Sequence, residues 1–538
     1  MFLLKSRMCG IFAYLTNENV DKSTHDFIEK QWNSGKSRGP ESSQFITKER
    51  VDTSFFIFMG FHRLAINGLN PESNQPMCID GVYLICNGEI YNYKSLSKPF
   101  TMKSCSDCEV IIHLYKVYGI EYIFELLDGV FAFVLYDSNI QKVFVARDPY
   151  GVRPLFTNEC LAFASELKQL HQFDSNVKQF EPGTFMEIRV GESIHIIQQK
   201  RYTSFGFSKM IFNNLYDIYG ILYQSLYNAV KKRVVGTTER PIACLLSGGL
   251  DSSTITALVN SFLPKGQLET YSIGLEGSTD LVYAQMVADH LGTNHTSIVL
   301  TEQEFFDAIP ETIKAIESYD TTTVRASVGN YLVGKYISQH SQAKVVFNGD
   351  GADELMGGYR YFSSSPNELA FDQECKRLLQ DIHCFDVLRS DRCISTHGLE
   401  PRTPFLDRSF VQNYLSLPPD LRNHSYNNQP EKFLIRGALA FMNKGILPEN
   451  IILRTKEAFS DGVSSTDRSW YTIIGEFVEN KEIPIESFTH NPPKTKEQRY
   501  YRMLFEEYYP GCAKIVPYFW MPKWVEATDP SARTIKIK

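Results

Sequence analysis

Short apolar runs rich in β-branched and aromatic residues recur in the amino-terminal part of the chain, up to about Arg201. Runs of roughly four to eight such residues, bounded by turn residues, predict β-strands. The clearest runs are Phe55–Phe58, Val82–Ile85, Phe131–Tyr136, Val143–Ala146 and Thr184–Ile188. Turn signals such as Asn67-Gly68 and Asp148-Pro149 lie between them. The pattern predicts a mainly antiparallel α+β domain.

The pattern changes near Met210, where apolar strands begin to alternate with helices. A helix is predicted over Leu215–Lys232. The strands predicted after it are Ile242–Leu246, Leu268–Leu275, His295–Leu300 and Ala343–Phe347, and the helices are Ser252–Phe262 and Val282–Leu291. This alternation is typical of an α/β domain, a parallel sheet covered by helices. Beyond Phe371 mostly helix is expected. We therefore predict domains over residues 8–202 and 210–525, joined near Tyr202–Lys209.

Composition narrows the class of protein. The chain has 538 residues, of which 43% are hydrophobic and 22% charged, as in folded proteins with sizeable cores. The net charge of -7 gives no electrostatic indication of binding to nucleic acid or to an anionic membrane. No apolar stretch approaches the ~20 residues of a membrane span, and the run before Lys5 is too short for a secretory signal. Eleven scattered cysteines fit reduced thiols. We expect a cytoplasmic protein without nucleic-acid or membrane partners.

The first run with chemical content is Met8-Cys9-Gly10-Ile11-Phe12. Removal of the methionine would leave Cys9 with a thiol and a free α-amine on one carbon. Such an amine has a pKa of ~7.7–8.0 and can act as a general base, while a thiolate can split an amide through a thioester. Taken alone, Cys9 is more ordinarily interpreted as a buried structural cysteine.

Three further runs supply groups that recognise an amino-acid amide. Arg63 suits a bidentate grip on a carboxylate. Asn87 and Gly88, after a predicted strand, offer an amide and a backbone N–H to a tetrahedral oxyanion. Asp107 offers a carboxylate to an α-ammonium group. Each has an ordinary interpretation, as a surface arginine, a turn asparagine or a helix cap. Together they predict one amide-binding site.

These residues resemble the class II glutamine amidotransferase domain and its N-terminal nucleophile fold. The matching stretches are Met8–Phe12, Ser37–Glu41, His62–Leu64, Asn87–Asn92 and Arg147–Gly151. The resemblance implies an αββα antiparallel sandwich, with Cys9 as nucleophile and with Asn87 and Gly88 as the oxyanion hole. The glutamine-binding residues that it implies are Arg63, Leu64, Asn87, Gly88, Glu89 and Asp107.

Two features depart from that family. Ser37-Arg38-Gly39-Pro40-Glu41 stands where His-Arg-Gly-Pro-Asp is usual, at positions that exclude the nucleophile. Seven residues also precede Met8, and with them in place the nitrogen of Cys9 is an amide and cannot act as a base. We expect that synthesis starts at Met8 or that residues 1–7 are removed. Otherwise the enzyme would depend on ammonia and have an impaired glutaminase.

A second chemical signal follows the predicted strand Ile242–Leu246. The loop reads Ser247-Gly248-Gly249-Leu250-Asp251-Ser252-Ser253 and leads into a helix. Glycines let backbone N–H groups approach an anion, and the helix N-terminus holds it. Asp251 suits a Mg²⁺ ion held against phosphate oxygens. The Gly-Lys-Ser/Thr of a Walker loop is absent. The loop resembles the pyrophosphate loop of enzymes that adenylate a carboxylate.

Another loop, Val346–Glu354, clusters acidic residues with glycines after an apolar strand. Carboxylates this dense near phosphate need a cation, so Asp353 is predicted to bind Mg²⁺ beside Asp251. In open α/β sheets, ligands bind at such strand ends. The two loops therefore predict one site for a nucleotide and its metal ion.

Later stretches resemble the glutamine-hydrolysing asparagine synthetase family. The resemblance runs from Met8 to Arg533 and includes Tyr319–Ser327, Gly398–Asp407, Lys456–Gly462 and Asp529–Arg533. It implies an adenine nucleotide alpha-hydrolase-like synthetase domain. It also implies glutamine, aspartate and ATP as substrates, Mg²⁺ as cofactor and, as a family property, a homodimer.

The same resemblance assigns residues to the synthetase reaction. The ATP-binding residues that it implies are Leu246, Ser247, Gly248, Gly249, Asp251, Ser252, Ile273, Asn348 and Gly349. It links Asp350 to formation of a β-aspartyl-AMP intermediate. The residues tied to aspartate or the intermediate are Thr322, Thr323, Arg325 and Lys456. The bacterial form has Glu in place of Asp350 and Ser in place of Asn348, so the reach of this carboxylate is changed.

Two other functions stay open at this point. A related enzyme, such as a β-lactam synthetase, would adenylate another carboxylate, but such relatives typically lack the N-terminal cysteine. A silent binder of glutamine or nucleotide would be expected to lose Cys9, Asn87, Asp251 or Asp353, and all four are present. Pyrophosphate release that requires aspartate discriminates between these functions.

Overall fold

The computed structural model describes residues 9–39, 41–50, 55–212, 214–237, 239–465, 467–484 and 487–535. Residues 1–7, which we expect to be absent from the active enzyme, lie outside this range, as do Met8 and Pro40 of the sequence motifs. The described strands form three sheets.

Two six-stranded antiparallel sheets occupy the amino-terminal part. The first sheet contains, in spatial order, β10 (Lys178–Gln179), β8 (Phe156–Thr157), β9 (Ala162–Ala164), β1 (Gly10–Thr16), β3 (Phe55–Arg63) and β2 (Ser42–Arg50). The second contains β12 (His195–Arg201), β11 (Thr184–Arg189), β7 (Lys142–Arg147), β6 (Gly129–Asp137), β5 (Val82–Ile90) and β4 (Met77–Ile79).

The third sheet is parallel and occupies the carboxyl-terminal part. Its spatial order is β15 (Asn294–Leu300), β14 (Glu269–Leu275), β13 (Ile242–Leu245), β16 (Val345–Phe347) and β17 (Glu400–Arg402). Ile242 and Cys244 pack into one hydrophobic cluster and Ala243 into another. Both faces of the sheet are therefore covered, as expected for a parallel sheet.

The described α-helices complete both parts. They are α1 (Lys22–Ser34), α2 (Tyr93–Leu96), α3 (Val110–Leu126), α4 (Leu215–Val235), α5 (Leu250–Asn260), α6 (Thr279–Leu291), α7 (Glu302–Ile316), α8 (Thr321–His340), α9 (Ala352–Met356), α10 (Glu368–Asp381), α11 (Asp386–Ser395), α12 (Arg408–Leu415), α13 (Pro419–Arg422), α14 (Phe433–Met442), α15 (Glu449–Ile452), α16 (Phe459–Gly462), α17 (Trp470–Glu479) and α18 (Lys496–Tyr508).

Successive side chains of β1 point to opposite faces of the first sheet, and their contacts show how the antiparallel sheets are layered. Ile11 and its alternate neighbours share a core with Val134 of the second sheet. Phe12 faces the other way and packs in a cluster with Trp32 of α1. On the outer face of the second sheet, Phe133 packs with residues of α3 such as Ile123. The order helix, sheet, sheet, helix confirms the αββα sandwich, and the third sheet confirms the α/β class.

Every strand and helix predicted from an apolar run is present, with ends shifted by a few residues. The strands that were not predicted are β1, β2, β4, β8, β9, β10, β12 and β17. β17 contains only Glu400-Pro401-Arg402, so no apolar run marks it in the sequence. It is held in the sheet by pairing with β16. The two loops predicted to bind phosphate leave the carboxyl ends of β13 and β16, which are neighbours in the sheet. The fold thus brings the two loops together.

Candidate active sites

Cys9 immediately precedes β1 and lies beside the end of β3. The thiol donates a hydrogen bond to the carbonyl oxygen of Leu64, with Sγ 3.3 Å away. The backbone N–H of Leu64 donates to Sγ at the same distance. Burial raises the pKa of the thiol to about 12. In this environment the thiol is neutral near pH 7 and needs a base before it can attack.

Asn87 and Gly88 lie near the end of β5. Asn87 is fully buried, and neither amide atom has a hydrogen-bond partner among the described residues. A buried amide without partners is costly, so its donor is available to a ligand. A Cβ on Gly88 would lie 2.7 Å from the carbonyl oxygen of Val130, so a side chain would disturb β6.

The predicted glutamine-binding charges are close to one another but already have protein partners. Arg63 donates to the carbonyl oxygen of Asn70 (3.0 Å) and to Oδ1 of Asn74 (2.7 Å), and its guanidinium therefore faces the loop that follows β3. Asn67 of that loop donates from Nδ2 to Oε1 of Glu89 at 2.5 Å. This loop thus links Arg63 with Glu89.

Two buried carboxylates, Asp107 and Glu89, belong to the same predicted site. Asp107 accepts the backbone N–H of Ile90 at 2.7 Å. Burial raises its pKa to about 6. Glu89 lies 3.1 Å from Nη2 of Arg402, a residue of β17. Burial raises the pKa of Glu89 in spite of this partner. An ammonium group placed between the two acids would favour their ionised forms.

Buried ion pairs connect the surroundings of Cys9 to the parallel-sheet part. Arg38 donates from Nε to the carbonyl oxygen of Cys9 (2.8 Å) and from Nη1 to Oδ2 of Asp391 in α11 (2.8 Å). Arg392, also in α11, pairs with Glu166 (2.9 Å) and Glu317 (2.8 Å). The other members of this interface are Arg153, Glu400, Arg402 and Glu89. Cys9 is therefore tied to α11.

The glycine-rich loop after β13 is shaped for an anion. Gly248 has a φ of 70°, and a Cβ there would lie 2.4 Å from the backbone of Tyr283. Ser247 and Ser252 face each other, with hydroxyl oxygens 3.0 Å apart. The loop ends at the first turn of α5, where N–H groups lack helical partners. Only glycine suits position 248, because the conformation and the space both exclude a side chain.

The second loop packs directly on the first. A Cβ on Gly349 would lie 2.9 Å from Cβ of Asp251. Asp350 accepts from Nδ2 of Asn348 (2.8 Å) and from Nη2 of Arg389 (3.1 Å). Burial raises the pKa of Asp350, and Arg389 opposes that effect. The predicted Asp350 thus has a cation, the guanidinium of Arg389, as its partner.

Asp251 and Asp353 are bridged by two lysines. Nζ of Lys432 lies 2.5 Å from an oxygen of each aspartate, and Nζ of Lys456 lies 2.5 Å from Asp353 and 3.7 Å from Asp251. Burial alone would raise the pKa of Asp353, but the two ammonium groups hold it below its usual range. Burial alone would lower the pKa of Lys456, and the aspartates raise it.

The donor set of this quartet fits Mg²⁺. Oδ1 of Asp251 is buried without a hydrogen-bond partner, and both carboxylates already face positive charge. Among the described residues no group of three or more His, Cys, Asp or Glu side chains forms a closed metal site. Mg²⁺ commonly takes one or two carboxylates and completes its shell with phosphate oxygens and water. Two aspartates beside an anion loop match that preference.

One cavity collects most of the residues predicted for ATP. Its lining includes Leu246, Ser247, Gly249, Asp251, Ser252, Ile273, Thr322, Asn348, Gly349, Asp350, Asp353 and Lys456. A second cavity adjoins it and includes Thr322, Thr323 and Arg325. Gly248 shapes the loop without lining either cavity. The fold thus gathers residues that are more than 200 positions apart in the chain.

The residues predicted to bind the substrate aspartate differ in whether their polar groups already have protein partners. The hydroxyl of Thr322 is buried without a partner among the described residues. The hydroxyl of Thr323 donates to Oδ2 of Asp320, which caps α8 (2.8 Å). Arg325 forms ion pairs with Glu497 and Asp529. The hydroxyl of Thr322 is therefore available to a ligand, whereas Thr323 and Arg325 are engaged by neighbouring carboxylates. Lys456 is likewise paired with Asp353 and Asp251, but it lines the first cavity.

Sequence reasoning missed Lys432, Arg389 and Arg402. Lys432 lies in Glu431-Lys432-Phe433-Leu434, which has no glycine or acidic cluster to mark it. It precedes α14 with a φ of 58°. Arg389 lies on α11 and Arg402 on β17, and their partners are distant in sequence. One signal was available, since Arg402 lies in the stretch Gly398–Asp407 noted above.

Within the described part of the chain, no helix is long and apolar enough to cross a membrane. Two family profiles match the sequence: a glutamine amidotransferase domain over residues 8–203, and an asparagine synthase over residues 222–369 and 362–514. The glutamine-hydrolysing asparagine synthetase of Gallus gallus is 40% identical over 571 aligned positions, covering 98% of this chain and 99% of the relative. The enzyme of the same name from Homo sapiens is 40% identical over 572 positions, covering 98% of each chain.

Proposed function

Because the chain belongs to the glutamine-hydrolysing asparagine synthetase family, we propose that it makes asparagine from aspartate with ammonia taken from glutamine. The reaction consumes L-aspartate, L-glutamine, ATP and water and yields L-asparagine, L-glutamate, AMP and diphosphate. A glutaminase unit over residues 8–202 hydrolyses glutamine, and a synthetase unit over residues 210–525 forms asparagine.

In the glutaminase unit, Cys9 is the nucleophile once it is the first residue of the chain. Its α-amine takes the thiol proton, and the sulfur attacks the side-chain carbonyl carbon of glutamine. Nδ2 of Asn87 and the backbone N–H of Gly88 stabilise the oxyanion. Ammonia leaves, and water hydrolyses the glutamyl thioester to glutamate. The unpartnered amide of Asn87 supports this role, because its donor is not committed to the protein.

Glutamine is held by the charges around this site. Arg63 and Leu64 bound the side on which the α-carboxylate binds. Glu89 and Asp107 face the α-ammonium group. Arg63 must exchange a contact with the 67–74 loop for the substrate carboxylate, since its guanidinium donates to that loop. Rearrangement of the contacts between Arg63 and this loop is therefore part of glutamine binding.

In the synthetase unit, the side chains around the first cavity bind ATP and orient aspartate. Leu246 and Ile273 contact adenine, and Asn348 and Gly349 contact the nucleotide. Ser247, Gly248, Gly249 and Ser252 hold the departing pyrophosphate. The β-carboxylate of aspartate attacks the α-phosphorus, and ammonia then displaces AMP from the β-aspartyl-AMP. Lys456 and Lys432 face the phosphates, and Asp350 and Thr322 face the reacting carboxylate. Thr323 and Arg325 bound the adjoining cavity.

Asp251 and Asp353 would hold Mg²⁺. When bound, Mg²⁺ neutralises phosphate oxygens and favours departure of pyrophosphate. Release of Lys432 and Lys456 from the two aspartates would free both carboxylates for the metal and both ammonium groups for the phosphates. The unpartnered Oδ1 of Asp251 supports this assignment. We further propose a cytoplasmic enzyme that assembles as a homodimer.

The observation that carries the proposal is that one chain combines the residues assigned to glutamine hydrolysis with those assigned to adenylation. The test is to measure pyrophosphate and AMP with aspartate and either glutamine or ammonium, with and without a chelator of Mg²⁺. We expect pyrophosphate release to require aspartate and Mg²⁺. Cys9→Ala should abolish the use of glutamine and leave the use of ammonium intact. Release that requires another acid instead would identify a different carboxylate, and no release with any acid would identify a silent binder.

A second candidate function is an ammonia-dependent synthetase with an impaired glutaminase. The specific observation in its favour is that Sγ of Cys9 is hydrogen-bonded to the backbone of Leu64, with no side-chain base among its hydrogen-bond partners in the described residues. Burial also raises the pKa of this thiol. Wild-type protein that uses ammonium and ignores glutamine would establish this function.

A further inference from the structure

The carboxyl-terminal segment Asp529–Arg533 folds back onto the loop that carries Lys456. Nη2 of Arg533 lies 2.6 Å from Oε1 of Glu457. Arg533 also donates to the carbonyl oxygens of Ser465 (2.7 Å) and Asp461 (3.0 Å). Glu457 is the chain neighbour of Lys456, so this ion pair fixes the residue next to the lysine.

A second anchor joins the same segment to α8. Asp529 accepts from Nη1 and Nη2 of Arg325, each at 2.8 Å. Glu497 of α18 accepts from Nε (2.8 Å) and Nη2 (2.5 Å) of the same arginine. Four of the five N–H groups of Arg325 are thus engaged by two protein carboxylates. Arg325 is only 3% exposed. Its charge is neutralised by the protein.

A third anchor is Ser531, whose hydroxyl donates to Oδ1 of the buried Asp461 at 2.9 Å. Asp461 belongs to α16, a single turn directly after the Lys456 loop. Ser531 also lines the second cavity together with Thr322 and Ser460. The segment therefore forms part of the wall of the second cavity.

We propose that Asp529–Arg533 is a clamp that positions the Lys456 loop for adenylation, and that Arg325 and Arg533 act through this clamp without binding the substrate carboxylate. The inference rests on the proposed function. Between α15 and α16 the chain has no regular structure from Leu453 to Ala458. Side-chain contacts hold this stretch, among them the ion pair of Glu457 with Arg533 and a hydrogen bond from the N–H of Lys456 to Glu431 (2.8 Å). Lys456 reaches Asp353 from this stretch. A loop released from Arg533 and Ser531 would carry the ammonium away from the phosphates.

The first test needs no catalysis. Hydrogen exchange is measured on the full chain for peptides that cover residues 455–465, in wild type and in Arg533→Gln. We expect exchange in this window to rise by about tenfold or more, because local opening becomes easier. Peptides of β6 serve as the internal reference. Arg201→Gln, which breaks an exposed ion pair with Glu181, is the matched control and should not change the window. Unchanged exchange in Arg533→Gln overturns the clamp.

The second test separates positioning from substrate binding. With ammonium as nitrogen source, Arg533→Gln should lower kcat by about 10- to 100-fold, as expected for a misplaced catalytic group. KM for ATP should stay within about twofold, since the adenine contacts are untouched. Arg533→Lys should recover part of kcat because it keeps the charge opposite Glu457. Parallel loss of glutaminase and synthetase activity, or a raised KM for ATP at unchanged kcat, would refute positioning.

The last test concerns Arg325 itself. If Arg325 acts through Asp529, then Arg325→Gln and Asp529→Asn should have similar effects and the double variant should be little worse than either. If Arg325 binds aspartate, only its own substitution should raise KM for aspartate by about tenfold or more, which would contradict the proposal. Wild type without aspartate-dependent pyrophosphate release would defeat the proposed function, while the exchange experiment would still decide the clamp.

Discussion

Asn87→Ala should separate catalysis from stability in the glutaminase unit. In the free enzyme neither atom of this buried amide has a partner among the described residues, so its removal breaks no hydrogen bond. An unpartnered buried polar group costs about 1–3 kcal/mol, which offsets the loss of packing on truncation to alanine. In the transition state, loss of one oxyanion donor costs about 2.7–4 kcal/mol, or 10²–10³-fold in kcat. We therefore expect a stable protein with a slow glutaminase.

Asn92→Ala is the matched control, because both amide atoms of Asn92 have protein partners. Nδ2 of Asn92 donates to the carbonyl oxygen of Leu126 (2.8 Å), and Oδ1 accepts the N–H of Asp128 (3.1 Å). Its removal should lower the free energy of unfolding by about 1–3 kcal/mol and leave the glutaminase rate per folded molecule unchanged.

The assay follows glutamate release at saturating glutamine, ammonium-dependent pyrophosphate release and urea unfolding on the same preparations. Ammonium-dependent synthesis should match wild type in both variants. A glutaminase kcat of Asn87→Ala within about threefold of wild type would refute the oxyanion assignment. A large loss of stability in that variant would show that the amide is used by the fold.

Two further predictions concern titrating groups. A chain that begins at Cys9 should hydrolyse glutamine at least about 100-fold faster than one that keeps Met8, because the α-amine supplies the base; intact mass identifies the two forms, and equal rates would contradict the role of the amine. For Glu166, burial raises the pKa, but Lys168, Arg392 and Arg38 outweigh it and hold the pKa at about 2, below the ordinary 4.5. The ionised form of Glu166 thus adds roughly 3 kcal/mol to the free energy of unfolding above pH ~4.5, and this contribution is lost as the pH falls toward ~2. In urea unfolding, Glu166→Gln should therefore lose less stability than wild type between about pH 6 and pH 3. An equal loss in the two proteins would contradict the pKa shift.

The sequence predicted those parts of the fold and site that depend on local pattern. Apolar runs located β13 and β16, and the glycine-rich loops after them could be assigned because strand, loop and helix are contiguous. Parallel pairing then brings Asp251 and Asp353 together, since both lie just beyond strand ends on one edge of a sheet. Cys9 could be singled out for a similar reason, since its chemistry depends on its neighbours in the chain.

Contacts between distant segments were beyond local pattern. Lys432 meets Asp251 across 181 positions of sequence, and no periodicity encodes such a pair. The carboxylate-binding role of Arg63 stays a prediction, and the structure adds that its donors serve the loop after β3. The engagement of Thr323 was foreseeable, because an aspartate three residues before a threonine at a helix start is a common N-cap. The residue type of Thr323 indicated a polar role, and the position of the helix start determined that its partner is Asp320.

The interface of buried charges limits how the two halves of the enzyme can be recombined. Arg38, Arg153, Glu89 and Glu166 on the glutaminase side are matched by Asp391, Glu400, Arg402 and Arg392 on the synthetase side. A glutaminase half grafted from another enzyme would need the same signs at the same places, since each mismatch leaves a charge buried without a partner, at about 3–5 kcal/mol. A chimaera should therefore fold only if the buried charges of its two halves are complementary at this interface. The catalytic residues of either parent do not decide that outcome.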